Sequence, residues 1–106
     1  MQMIDGNKRR LQCRAGEVIT IAVTADGTVN AAAISLNGSA LSGDSFTVNG
    51  RNDLVIVGVF SNDIGGGTYN ITLRGDAGGV VISDDIVQGD GADARKEGTR
   101  GYVFTI

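Results

Sequence analysis

Apolar and polar residues alternate with a period of two through most of this 106-residue chain. Tyr69, Ile71 and Leu73 alternate with Thr68, Asn70, Thr72 and Arg74, the pattern of a strand with one face in a core and one in water. Ile19, Ile21 and Val23 repeat it against Thr20, Ala22 and Thr24 across 17–25. Leu11 and Cys13 share a face in 9–14, Ala32, Ile34 and Leu36 in 31–36, and Phe46 and Val48 in 45–48. Tyr102, Phe104 and Ile106 do the same in 101–106. The run 53–60 is apolar on both faces, which predicts a central strand covered on both sides. A further strand spans 80–83, with a short pairing at Ile86 and Val87. No long stretch has helical periodicity. Turn signals punctuate the runs at Asp26-Gly27, Asn37-Gly38, Asn49-Gly50 and Gly78-Gly79. Asn37-Gly38 is the dipeptide of a type I′ hairpin. About seven or eight strands with turns every 8–12 residues predict an all-β fold, a single antiparallel β-sandwich of Ig-like or jelly-roll (Greek-key) topology. One domain covers the chain, with 1–8 as an N-terminal arm and 84–100 as an irregular acidic loop.

Several segments carry a resemblance. The glycine-rich turn from Asp63 through Gly65, Gly66 and Gly67 delivers Tyr69 at the start of its strand, an arrangement similar to the tyrosine corner of immunoglobulin-type sandwiches. The segments 11–23, 34–38 and 67–75 together resemble the pre-peptidase C-terminal and related bacterial Ig-like modules. Those modules run through a strand pair opened by Gly, a Leu-x-Asn/Asp-Gly hairpin and a G-x-Y strand; here these are Gly16, Leu36-Asn37-Gly38 and Gly67-Thr68-Tyr69. The likeness covers about residues 9–83, and the last 20 or so residues do not follow it. It implies an accessory, non-catalytic module of secreted enzymes or surface proteins. It also implies a structural role for Gly67 and Tyr69, with the tyrosine hydroxyl bonding back to the backbone of the preceding turn.

Composition narrows the chemistry. The 42% apolar content suits a globular core, drawn from Val, Ile, Leu and Ala because the aromatics are only 5%. The net charge of −3 makes nucleic acid and anionic membranes poor partners. Lys8-Arg9-Arg10 reads as a solvated strand edge. No apolar run is long enough to insert in a membrane. The N-terminal residues lack the apolar stretch of a signal peptide, so the expectation is either a cytoplasmic protein or an extracellular module of a longer chain. A lone Cys13 excludes an internal disulfide and reads as a small buried residue.

With no His among its residues, the chain cannot build Ser-His-Asp, Cys-His or His-metal sites. Ser-Lys pairs and paired carboxylates remain, but Lys8 and Lys96 lie in no recognisable motif, so no enzyme is expected. Asp84, Asp85, Asp90 and Asp93 are the metal candidates: four carboxylates within ten residues could help supply the oxygens that calcium needs. Their spacing is not that of an EF-hand, Arg95, Lys96 and Arg100 stand close by, and a solvated acidic loop is the commoner reading. Arg74-Gly75-Asp76 matches an adhesion tripeptide, and Asn37 and Asn70 match glycosylation acceptors; such short matches arise readily by chance. Without Trp, and with Tyr69 and Tyr102 on core faces, a carbohydrate partner is not expected.

Two functional expectations follow. One is an interaction or spacer module that meets a protein partner through its sheet edges. The other is a self-assembling subunit that pairs with its own copies, with Tyr102, Val103, Phe104, Thr105 and Ile106 as the strand offered to a neighbour. A terminal strand paired within its own chain is the ordinary case.

Overall fold

The computed structural model describes residues 8–26, 29–61, 65–77, 80–94 and 96–106. The turns at Gly27 and at Gly78-Gly79, the arm before Lys8, Asp63 and Arg95 lie outside the described residues.

The described residues form nine strands: β1 Lys8–Gln12, β2 Val18–Asp26, β3 Val29–Leu36, β4 Ser39–Ala40, β5 Ser45–Thr47, β6 Asn52–Phe60, β7 Thr68–Gly75, β8 Val81–Val87 and β9 Glu97–Thr105. They make two sheets, a five-stranded one ordered β1-β9-β6-β3-β4 and a four-stranded one ordered β5-β2-β7-β8. A single 3₁₀ turn, Gly91–Asp93, is the one helical element among the described residues. The fold is therefore all-β. Every ladder is antiparallel except that of β1 with β9, which is parallel. A parallel pair needs a long crossover; here nearly the whole chain lies between the two strands.

Local chemistry places these elements. Asn37 and Gly38, with φ of 53° and 85°, close the β3–β4 hairpin as a type I′ turn. The Asn37 side chain also accepts the Asp53 N–H at 2.8 Å and so ties the turn to β6. Alternation puts Ile19 and Ile21 of β2, Leu54 and Ile56 of β6, and Tyr69, Ile71 and Leu73 of β7 into one buried cluster drawn from both sheets. Each fully buried apolar side chain of this kind stabilises the fold by about 1.5–3 kcal/mol. Phe46 of β5 meets Phe104 of β9 edge-on at 5.2 Å, and Phe60 of β6 meets Tyr69 of β7 at 5.4 Å. The inward contacts of β9 shift from Ile86 of β8, against Gly98, to Phe46 of β5, against Phe104. The last strand thus crosses the four-stranded sheet obliquely and binds its two edges together.

Four expectations change. The segment 84–87 continues β8 instead of opening a loop, because Ile82 and Ile86 bury on either side of Asp84. β9 begins at Glu97, four residues before the apolar run, where polar residues and Gly98 pair with β6 through backbone bonds alone. β6 is buried on one face only: Leu54, Ile56 and Phe60 are enclosed, while Val55, Val57 and Val59 stay half-buried on the outside. Ile106 lies past the end of β9 and is exposed, unlike Tyr102 and Phe104.

Candidate interaction edge and a buried carboxylate

Two tyrosines cross between the sheets. Tyr69 donates its hydroxyl to the Val59 carbonyl at 2.6 Å. The acceptor belongs to the end of β6, not to the turn that follows it. Gly58 makes room for the ring, since a Cβ there would overlap Tyr69. Gly67 is held by a buried amide: its N–H donates to Gln88 Oε1 at 3.0 Å and its carbonyl accepts the Gln88 N–H at 2.9 Å.

Tyr102 donates its hydroxyl to Asp84 Oδ2 at 2.7 Å. Asp84 Oδ1 accepts the Asp85 N–H at 2.8 Å and lies 3.6 Å from Arg100 Nε. Burial, first, and then the hydrogen bond and charge of Asp84 push the Tyr102 hydroxyl far above its ordinary pKa of 10.0, against a smaller opposing pull from Arg100 and Arg9. Asp84 thus serves as an inward-facing polar latch between β8 and β9.

Asp84, Asp85 and Asp90, the metal candidates whose side chains are described, are not gathered by this arrangement. Successive strand residues face opposite sides, so Asp85 points to solvent while Asp84 points in. Asp90 is exposed at a backbone bridge to Gly65. The Asp93 side chain lies outside the described residues. Among the described residues no three His, Cys, Asp or Glu side chains are grouped to hold a metal ion.

The segment from Tyr102 to Phe104 is flanked on both sides within its own chain, by β1 and by β6, and Thr105 pairs with β1. The open edges are elsewhere. β4 has two residues and β5 three. β1 has five and carries Lys8, Arg9 and Arg10. β8 has seven, and its ends show Val81 and Val87 at 63% and 53% exposure, the most exposed large hydrophobics on any described strand. Short length and charge blunt an edge against added strands; β8 is the longest of these edges and carries charge only at Asp84 and Asp85 in its middle.

A second feature was not legible beforehand. After β1, the Ala15–Gly16 turn carries the chain to the other sheet, with Gly16 at φ 84° donating its N–H to the Val48 carbonyl. This turn buries Glu17, which is only 4% exposed. Glu17 Oε1 accepts the Arg14 N–H at 3.2 Å, while Oε2 has no hydrogen-bond partner. A Cβ on Gly75 would overlap Oε2, so glycine there is what admits the carboxylate. A cavity of about 360 Å³ lies alongside, lined by Gln12, Cys13, Arg14, Glu17 and Ala77. Burial, and then the Glu17 charge, raise the Cys13 thiol above its ordinary 9.0, which makes it a poor nucleophile. In sequence, Glu17 is an unremarkable polar residue after a glycine turn. No family model, curated protein or solved structure matches the chain.

Proposed function

We propose that this chain is a non-catalytic β-sandwich module, Ig-like or jelly-roll in type, that binds a protein partner by taking an extended segment onto the edge of β8. The observation that carries this reading is that edge itself: seven residues, unpaired on one side among the described strands, with exposed valines at both ends. Strand addition of this kind draws affinity from main-chain hydrogen bonds and selectivity from alternate side chains. Asp84 and Asp85 sit in the middle of the edge. A partner strand with a basic residue opposite them is therefore favoured over an uncharged one. The strand order supports an Ig-like relationship in one respect, the placing of the first strand beside the last. It differs in another, since β6 and not the penultimate strand lies next to β9. In its resemblance to bacterial accessory modules the chain would serve a larger secreted or surface protein.

The second reading is self-assembly through the same edge. An antiparallel pair of β8 strands centred on Asp84 would set Val81 of one copy opposite Val87 of the other, which favours it. It would also set Asp84 opposite Asp84, and like charges directly opposite are destabilising. The test combines solution mass with an amide NMR titration, using a seven-residue peptide of alternating Val and Lys. A monomer whose saturable shifts cluster at 81–87 is the expected outcome. A defined oligomer that dissociates in Val87→Lys transfers the edge to self-assembly. Shifts confined to β1, or none, sink the edge reading.

A further inference from the structure

Independently of the β8 edge, we propose that Asn49 is a site of spontaneous covalent modification, converted by water to aspartate and isoaspartate, while the fold protects Asn37 from the same reaction. The chain contains two Asn-Gly pairs, Asn37-Gly38 and Asn49-Gly50. In each, the glycine has no side chain to obstruct its own backbone nitrogen. That nitrogen attacks the asparagine Cγ, and an N–Cγ bond forms as the Cγ–Nδ2 bond breaks. The glycine amide proton leaves with the side-chain NH2 as ammonia, and a succinimide ring remains. One water then opens the ring. Opening at Cγ gives aspartate; opening at the main-chain carbonyl gives isoaspartate, whose backbone runs through Cγ. Ammonia leaves and water enters, with no change of oxidation state.

Ring closure requires the asparagine side chain to turn onto the nitrogen that follows it, so the rate depends on how firmly each asparagine is held. Asn37 is tied down. Its Oδ1 accepts the Asp53 N–H at 2.8 Å, and its own N–H donates to the Asp53 carbonyl at 2.8 Å. It also sits at φ 53° in a turn closed by the pairing of Leu36 with Ser39. Those bonds must be given up before the ring can close. Asn49 is exposed, lies between β5 and β6, and its side chain has no hydrogen bond among the described residues. Only its main-chain N–H is tied, to Asn52 Oδ1 at 3.2 Å. A Cβ on Gly50 would meet nothing within 4 Å, so no neighbour crowds the attacking residue. The product matters to the fold. Val48, one residue before, gives its N–H to the Glu17 carbonyl and accepts the Gly16 N–H, both at 2.8 Å. Isoaspartate at 49 lengthens the main chain by one methylene between this anchor and β6.

The test is timed peptide mapping by mass spectrometry, on the full chain incubated folded and in urea at mildly alkaline pH. Electron-transfer fragmentation separates aspartate from isoaspartate. In the folded chain Asn49 is expected to convert roughly tenfold faster than Asn37, the protection that one or two net hydrogen bonds provide. In urea the two rates should draw together, since both asparagines precede glycine. Both acids should appear at Asn49, and the isoaspartate form should unfold at lower urea than the unmodified chain. Equal folded rates, a faster rate at Asn37, or no conversion of Asn49 while the unfolded chain converts overturn the proposal. A rate ratio unchanged by urea overturns the protective role of the fold, because local sequence would then set the difference. Aspartate without isoaspartate at Asn49 overturns the succinimide route. The wild-type chain alone decides each of these outcomes.

Discussion

Tyr69 and Tyr102 occupy similar positions and do different physical work. Each is almost wholly buried, and each reaches across the gap between the sheets to donate its hydroxyl. Tyr69 gives its proton to a backbone carbonyl ten residues upstream. That acceptor carries no titratable charge, and the ring lies on a glycine that leaves no slack. Tyr102 gives its proton to a carboxylate on the edge strand β8, 18 residues upstream. Its acceptor is shared with Arg100 and the Asp85 N–H, and it stands at the molecule's most open edge. The first is a packing lock, while the second is an electrostatic latch. The difference shows how one residue type can close a corner in one place and guard a sheet edge in another.

The largest effect that would separate them comes from the glycines. Gly58→Ala forces a Cβ into the Tyr69 ring, backed by a full core, and should cost about 3 kcal/mol in urea unfolding. Gly98→Ala, on the Tyr102 side, meets the Cγ2 methyl of buried Ile86, one branch instead of a whole ring, and should cost less, about 2 kcal/mol. Equal costs would mean that the Tyr69 corner is no tighter than the β8–β9 seam.

Next come the acceptors. Asp84→Ala leaves the buried Tyr102 hydroxyl unpaired and frees Arg100, for a loss of about 2 kcal/mol. Tyr69→Phe strands only a carbonyl oxygen and should cost about 1 kcal/mol. A double-mutant cycle of Tyr102→Phe with Asp84→Ala should show clear coupling. Additive costs would break the latch into two unrelated contacts.

The pH dependence sharpens the contrast. The Tyr102 pKa is raised in the folded protein, so its contribution is fully present below 10 and is lost as pH climbs beyond that value. Cys13, also raised, adds a similar loss that begins near 9. Urea midpoints measured on the alkaline side should therefore fall with pH in the wild type. The fall should be shallower in Tyr102→Phe and in Cys13→Ala, and shallowest in the double variant. A slope unchanged by both substitutions would remove the electrostatic description of the latch.

The smallest expected effect on stability is at the edge. Val87→Lys, on an exposed position of β8, should change unfolding free energy by less than about 0.5 kcal/mol. The same substitution should abolish binding of the Val/Lys strand peptide, by adding a like charge and removing an apolar contact. Retained peptide binding would move the partner surface away from β8.

Legibility in sequence divided along the same line. Tyr69 was readable as a structural strand residue because its glycine turn and its strand alternation lie within one short stretch; its acceptor, the Val59 carbonyl at the end of β6, was not. Phe46 and Val48 were placed inward correctly by alternation alone. Asp84 was read as loop because two adjacent carboxylates suggest solvent; its burial depends on Tyr102 and Arg100 arriving from β9. Val55, Val57 and Val59 looked like a covered face, since composition states what a face could bury but not whether another layer is present. Glu17 gave no signal, because its enclosure depends on Gly75 and Ala77, about 60 residues further along the chain.

By itself, then, the amino-acid pattern determined most of the strands, the inward faces of Phe46, Val48, Ile71 and Leu73, the type I′ turn at Asn37-Gly38 and the absence of histidine chemistry. These depend on short-range sterics and a two-residue period that neighbours impose on one another. The parallel pairing of β1 with β9, the oblique path of β9, the latch at Asp84 and the unpartnered oxygen of Glu17 were decided only by the tertiary structure. Each arises where residues far apart in sequence compete for the same small volume, and local pattern does not encode which of them will meet.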